Sequence, residues 1–183
     1  MKLRLMTYNI HRAIGVDRRF RPDRIGAIAA HHDPDILLLQ EVDQDAPRSQ
    51  RIDLARFLAE KLGYPHFAVG HNVTLRRGRY GNATLSRFPI TDERNIDLTV
   101  GRHKRRGCLF TTIAVPSLGT DGAPTGSRLL SLFNFHLGLV AQERARQLGM
   151  LVRSAEFEGL APDTPCIVGG DFTTGASCCT PSS

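Results

Sequence analysis

Four apolar runs of this 183-residue chain each lead into a side chain able to handle a divalent cation or a phosphate. Asn9 follows Leu3 to Tyr8, Glu41 follows Ile36-Leu37-Leu38-Leu39-Gln40, His136 follows Leu132-Phe133-Asn134-Phe135, and Asp171 follows Ile167-Val168-Gly169-Gly170. Magnesium takes one or two carboxylates and keeps several of its waters. Phosphoester cleavage needs an oriented water, charge stabilisation on the phosphoryl oxygens and a proton for the leaving group. A carboxamide, two carboxylates and an imidazole answer that list. Each residue also has a plain structural reading: Asn9 and Asp171 as turn formers, Glu41 as a solvated strand end, His136 as a satisfied structural group. The glycines before Asp171 are expected to let a ligand approach the backbone closely.

The elements that must position these groups read as alternating strands and helices. Leu3, Leu5 and Thr7 alternate with their neighbours, a half-buried strand ending at Asn9. After a loop centred on Gly15, Pro22-Asp23 opens a helix with Ile25, Ile28 and Ala29 on one face, ending before Asp33-Pro34. The nearly unbroken apolar run Ile36 to Gln40 predicts a strand covered on both faces and ending at Glu41. Leu54, Phe57, Leu58 and Leu62 predict a helix over 52–62, stopped by Gly63 and Pro65. Short runs at 66–69, 82–86, 92–98, 108–115 and 128–135, separated by Gly, Pro and Asp, suggest hairpin-linked, largely antiparallel strands. One long helix is expected over 140–156, then a strand over 166–168. Two sheets packed face to face with helices outside is the economical α/β arrangement.

Composition sets the outer bounds. At 41% hydrophobic and 23% charged residues, the chain has the make-up of a soluble globular domain with a real core. No repeat, linker or low-complexity block divides it, so 1–171 reads as a single domain and 172–183 as an irregular tail. No apolar stretch is long enough for a transmembrane segment or a signal peptide, and the expected location is the cytoplasm. Cys108 and Cys166 stand singly and Cys178-Cys179 are adjacent, which supports neither a disulfide framework nor a zinc site. With 24 basic against 18 acidic residues, much of the basic excess falls in Arg76-Arg77-Gly78-Arg79 and Arg102-His103-Lys104-Arg105-Arg106, pointing to an anionic partner. No aromatic residues interleave these clusters as a stacking platform for single strands would require.

Five segments carry a resemblance. Thr7-Tyr8-Asn9-Ile10-His11, Leu39-Gln40-Glu41-Val42-Asp43, Tyr80-Gly81-Asn82-Ala83-Thr84-Leu85-Ser86-Arg87-Phe88-Pro89-Ile90, Asn134-Phe135-His136-Leu137-Gly138-Leu139 and Gly169-Gly170-Asp171-Phe172 resemble, in order, the motifs of the endonuclease/exonuclease/phosphatase family. The resemblance implies a four-layer α/β/β/α sandwich of deoxyribonuclease I type and a divalent-metal-dependent phosphoesterase using Mg2+ or Mn2+. It implies that Glu41 is the principal metal ligand with Asn9 beside it, that His136 meets the scissile phosphate, and that Asp171 orients the attacking water. Substrate contacts are expected from His11 and Asn82, within the motifs, and from Arg106 of the second basic cluster. The loops at 75–80 and 101–107 are expected to border the site. Phosphate esters of nucleic acid, of a phospholipid headgroup or of a sugar all remain candidate substrates, and oligomeric state is undetermined.

The chain departs from the pattern near its end. The family carries an asparagine two positions after the aspartate where this chain has Thr173, and a hydroxyl cannot replace both ends of a carboxamide. The family also finishes with an Asp-His pair that nothing after Asp171 supplies, so the fold is expected to lack its C-terminal portion and the activity to be impaired. Residues 172–183 contain no charge and no His. Many relatives read Asn-Asp-Trp-Arg here, encodable as AAC GAC TGG CGC. Deleting one adenine gives ACG ACT GGC GC, the Thr173-Thr174-Gly175-Ala176 of this chain, so an out-of-frame tail is the expectation. Three functions compete: the metal-dependent phosphoesterase, a catalytically inactive remnant or anion-binding module, and a nucleic-acid-binding protein acting through its basic clusters.

Overall fold

A computed structural model describes residues 2–118 and 124–172; Thr173 and all that follows, including Cys178 and Cys179, lie outside them. Its strands are β1 (Leu5–Asn9), β2 (Ile36–Gln44), β3 (His66–Thr74), β4 (Arg79–Ser86), β5 (Ile90–Asp97), β6 (Gly107–Leu118), β7 (Pro124–His136) and β8 (Cys166–Asp171). Its helices are α1 (Pro22–His32), α2 (Leu54–Leu62), α3 (Ala141–Val152) and α4 (Ala155–Glu158). The strands form two sheets, ordered β1-β2-β4-β3 and β5-β6-β7-β8. β1 runs parallel to β2 and β7 parallel to β8, while the other pairings are antiparallel.

Three apolar layers hold the sandwich. Ile25 and Ala29 of α1 and Leu54, Leu58 and Ala59 of α2 pack on Leu37, Leu39, Ala83 and Leu85, the outer face of the first sheet. Phe110, Phe133 and Phe135 on the outer face of the second sheet meet Leu148 and Leu151 of α3 and Phe157 of α4. Between the sheets lie Ile36, Leu38, Ile113, Leu130 and Leu132. The result is helices, sheet, sheet, helices, the expected four-layer α/β/β/α order. β2 contributes to two layers because alternate side chains point to opposite faces, which is why its sequence is apolar at every position from Ile36 to Leu39.

Local chemistry sets the boundaries, with corrections to the sequence reading. Pro22 starts α1, and Asp33 in left-handed geometry closes it; Ile28 is half exposed and does not join Ile25 and Ala29 in the core. The Asp53 carboxylate accepts from Arg56 N–H to cap α2, and Gly63 in left-handed geometry ends it. The single helix expected over 140–156 is two, because Ser154 caps a new short turn by accepting from Phe157 N–H. Most strands outrun their apolar cores, since ladder pairing continues through the polar residues at their ends.

The most consequential correction concerns Glu41. It does not end its strand; β2 continues to Gln44 across an irregularity. Leu39 pairs with Ala83 and Val42 with Gly81, so three steps along β2 oppose two along β4, a one-residue bulge. Glu41 sits in that bulge with φ +59°, a left-handed conformation that costs a non-glycine residue about 1–2 kcal/mol. The bulge turns its side chain away from the alternation that buries its neighbours.

Candidate active site

β1, β7 and β8 deliver their terminal residues to one end of the sandwich. Asn9 Nδ2 donates to Asp171 Oδ2 at 2.6 Å, and His136 Nε2 lies 3.7 Å from the same oxygen. The register pairs His136 directly with Asp171 across β7 and β8. Gly170, with φ +146°, is required there because a Cβ would lie 2.0 Å from the Phe135 carbonyl oxygen. The close approach is therefore to a neighbouring strand, where the sequence suggested a ligand.

Glu41 joins this group from β2. Its side chain is 12% exposed, and its Oε2 is buried with no hydrogen-bond partner. His11 Nδ1 and Arg12 Nε each stand 3.5 Å from that oxygen without completing a hydrogen bond. His11, Arg12 and Ala13 all have positive φ, a left-handed turn that swings the chain after β1 back over the site. Burial first, and then the hydrogen-bonded Glu41 carboxylate, hold the Tyr80 phenol well above its usual range.

Cations stand around these groups. Arg48 Cζ and Lys104 Nζ lie 5.4 Å and 5.7 Å from the centre of the Tyr80 ring. Arg48 is fixed by two hydrogen bonds, 2.8 and 2.7 Å, to the fully buried Asp43 carboxylate. Arg106 is only 6% exposed, yet its Nε has no hydrogen-bond partner. The loop bearing Lys104 and Arg106 is pinned by Arg106 N–H on Thr99 Oγ1 and by His103 Nδ1 standing 3.6 Å from Glu143 Oε2. Burial and then the Arg106 charge lower the Lys104 pKa. The same two influences, in the same order, depress His136 to about 4 against the partial opposition of Asp171 and Glu41, so the imidazole is neutral at pH 7.

The structure thus gathers Asn9, His136 and Asp171 in direct contact, with Glu41, Arg106 and Lys104 within electrostatic reach and His11 at the rim. Asn82 is separated from them: at 1% exposure it lies between the sheets, donating to the carbonyl oxygens of Gly107 and Asn134. The second basic cluster divides, with Arg106 buried and Arg102 to Arg105 exposed. In the first cluster, exposed Arg76 and Arg77 line a cavity of about 540 Å³ with Arg48. Sequence reasoning passed over Arg12, Arg48, Tyr80, Gln40 and Asn134. A signal existed for the last two, polar amides inside apolar runs; none existed for Arg48, whose partner Asp43 is identified only by the fold.

A metal fits this donor set. Among the described residues no group of three or more His, Cys, Asp or Glu side chains converges on one point. Magnesium does not need one, since one carboxylate, a neutral oxygen donor and waters are its ordinary complement. Glu41 Oε2, which makes no hydrogen bond, would supply the carboxylate, and Asn9 Oδ1, which accepts from His11 N–H at 3.0 Å, would supply the neutral oxygen.

The chain belongs to the endonuclease/exonuclease/phosphatase family, whose family model matches residues 6–172. It is 32% identical over 181 residues to YbhP, an uncharacterized protein of Escherichia coli K12, covering 92% of this chain and 66% of that protein. The crystal structure of an endonuclease/exonuclease/phosphatase from Beutenbergia cavernae superposes with a TM-score of 0.74 at 27% identity, over 92% of this chain and 47% of that one. ANGEL2, a 2′,3′-cyclic phosphatase, shares the fold with a TM-score of 0.65 at 21% identity, over 93% of this chain and 52% of its own. The chain therefore spans about two thirds of the first relative and about half of the others.

Proposed function

We propose that this chain carries the metal- and phosphate-binding face of a phosphoesterase dependent on Mg2+ or Mn2+. One observation supports this above the others: two buried atoms of oppositely charged side chains beside His136, Glu41 Oε2 and Arg106 Nε, make no hydrogen bond. Glu41 Oε2 is an acceptor without a cation in bonding contact, and Arg106 Nε is a donor without an acceptor. Leaving a buried polar atom of a charged side chain without a hydrogen bond is costly. A divalent cation on Glu41 and a phosphoryl oxygen on Arg106 satisfy both at once.

The geometry supports the following residue roles. Glu41 and Asn9 would hold the metal, which when bound neutralises phosphoryl charge and lowers the pKa of its water. Asp171, held by the Asn9 amide, orients the attacking water. His136, neutral at pH 7, offers a hydrogen bond to the phosphoryl group. Positive charge comes from Arg106, Lys104 and Arg12, and His11 borders the substrate. The substrate is a phosphate ester from nucleic acid, a phospholipid headgroup or a sugar phosphate. The three cations also support a second reading, an anion-binding module without turnover.

Hydrolysis of bis(4-nitrophenyl) phosphate by the purified chain decides between them. Turnover that requires Mg2+ or Mn2+, stops with chelator and is lost in Glu41→Ala supports the enzyme. Salt-sensitive binding of inorganic phosphate without turnover, weakened by Lys104→Ala, supports the binding module.

A further inference from the structure

The bulge that presents Glu41 breaks the β2–β4 ladder, and side chains from the other sheet take over where it breaks. Asn134 Nδ2, from β7, donates to the carbonyl oxygens of Leu39 and Ala83 at 3.1 and 2.9 Å, the last pair before the bulge. Asn82 makes the reciprocal crossing from β4, donating to Gly107 and Asn134 carbonyls at 3.1 and 3.0 Å. Gln40, the residue before Glu41, donates to Asn134 Oδ1 at 2.7 Å and to Thr7 Oγ1 at 3.1 Å. Its own carbonyl accepts from Ile10 N–H at 3.1 Å, tying down the residue after Asn9. All three amides are almost fully buried.

Each amide adjoins a group of the candidate site. Gln40 precedes Glu41, Asn134 lies two residues before His136, and Asn82 holds the carbonyl of Gly107, which follows Arg106. Apolar packing between sheets tolerates sliding, whereas directional hydrogen bonds at 2.7–3.1 Å fix one register. We propose that Gln40, Asn82 and Asn134 are positioning residues: a three-amide clamp between the sheets that holds the Glu41 bulge and sets Glu41 against His136 and Arg106. This rests on the reading of Glu41 as metal ligand, and it gives Asn82 a positioning role beneath the site in place of a substrate contact.

The test uses near-isosteric variants of the full chain that remove the amide, Asn134→Leu and Gln40→Met. Thr84→Val is the control, since Thr84 Oγ1 is equally buried and lacks a hydrogen-bond partner. Two quantities are read: Mn2+ affinity by electron paramagnetic resonance, and the sign of the Glu41 φ from its amide-to-Hα nuclear Overhauser effect. Clamp variants are expected to fold cooperatively, to bind Mn2+ about 10- to 100-fold more weakly, as loss of a supporting partner generally does, and to lose the positive φ. Thr84→Val should keep both. If both clamp variants keep wild-type Mn2+ affinity and the Glu41 φ, the proposal is overturned and the amides serve stability alone. Should Asn134→Leu not fold, Gln40→Met carries the test, because it leaves both Asn134 carbonyl contacts in place. Should wild-type Mn2+ binding be indifferent to Glu41→Ala, the metal reading falls, and the Glu41 φ alone judges the clamp.

Discussion

Acidifying the metal-free protein from about pH 7.5 to about pH 5 should cost roughly 2 kcal/mol of stability through His136 alone. The imidazole has an ordinary pKa of 6.5 and is held near 4 in the fold, by burial first and by Arg106 second. Below pH 6.5 the unfolded chain takes up a proton that the folded chain refuses, so stability falls with pH until the folded imidazole titrates near 4. The full difference, 6.5 − 4 = 2.5 pKa units, is worth about 3 kcal/mol. At about pH 5 the unfolded side chain is nearly all protonated and the folded one nearly all neutral, so about 2 kcal/mol of it is realised. Urea unfolding of wild type and His136→Gln, both with chelator, reads the effect of the imidazole together with its neighbour Asp171, because the more distant titrating groups are common to both. The wild type should lose about 2 kcal/mol more than the variant over that interval. Parallel losses in the two proteins would refute the reasoning and put a solvated, ordinary imidazole at position 136.

Three further outcomes follow from the geometry. Glu41→Gly should be more stable than Glu41→Ala by about 1–2 kcal/mol in urea melts, reversing the usual order within a strand, because only glycine adopts φ +59° without strain. Arg48→Met leaves the Asp43 carboxylate buried without its guanidinium and should cost about 2 kcal/mol, less than a fully buried pair because Arg48 is 38% exposed; adding Asp43→Asn should restore most of the melting temperature. Gly170→Ala places a Cβ 2.0 Å from the Phe135 carbonyl oxygen at a positive φ, so β8 must shift from β7. That variant should lose both melting temperature and any turnover, and an unchanged melt would contradict the strand contact.

Much of the fold was legible in the chain's periodicities. The unbroken run Ile36 to Leu39 announced a doubly covered strand because both faces of β2 meet apolar layers, one under the helices and one between the sheets. Pro22, Asp33-Pro34 and Gly63 marked helix ends because their backbone preferences act locally. The break at Ser154 was missed because the apolar spacing continues through it, while the capping hydrogen bond depends on geometry. The β2 bulge was missed for a related reason: an extra residue opposite a partner strand has no signature in its own strand's pattern.

The sequence by itself determined that Asn9, His136 and Asp171 stand at strand ends and the family to which the motifs belong, and it raised the expectation of metal chemistry there. Those are properties of residue order and local propensity. Only the tertiary structure decided that Arg48 is held by Asp43, that Arg106 is buried while its cluster neighbours are exposed, and that Asn82 crosses between sheets. Only it decided that Glu41 stands in a left-handed bulge with an unpartnered oxygen. Burial, pairing and pKa depend on which distant segments share a dielectric environment and a hydrogen bond. Segments more than 90 residues apart, such as Gln40 and Asn134, meet through the packing of the two sheets.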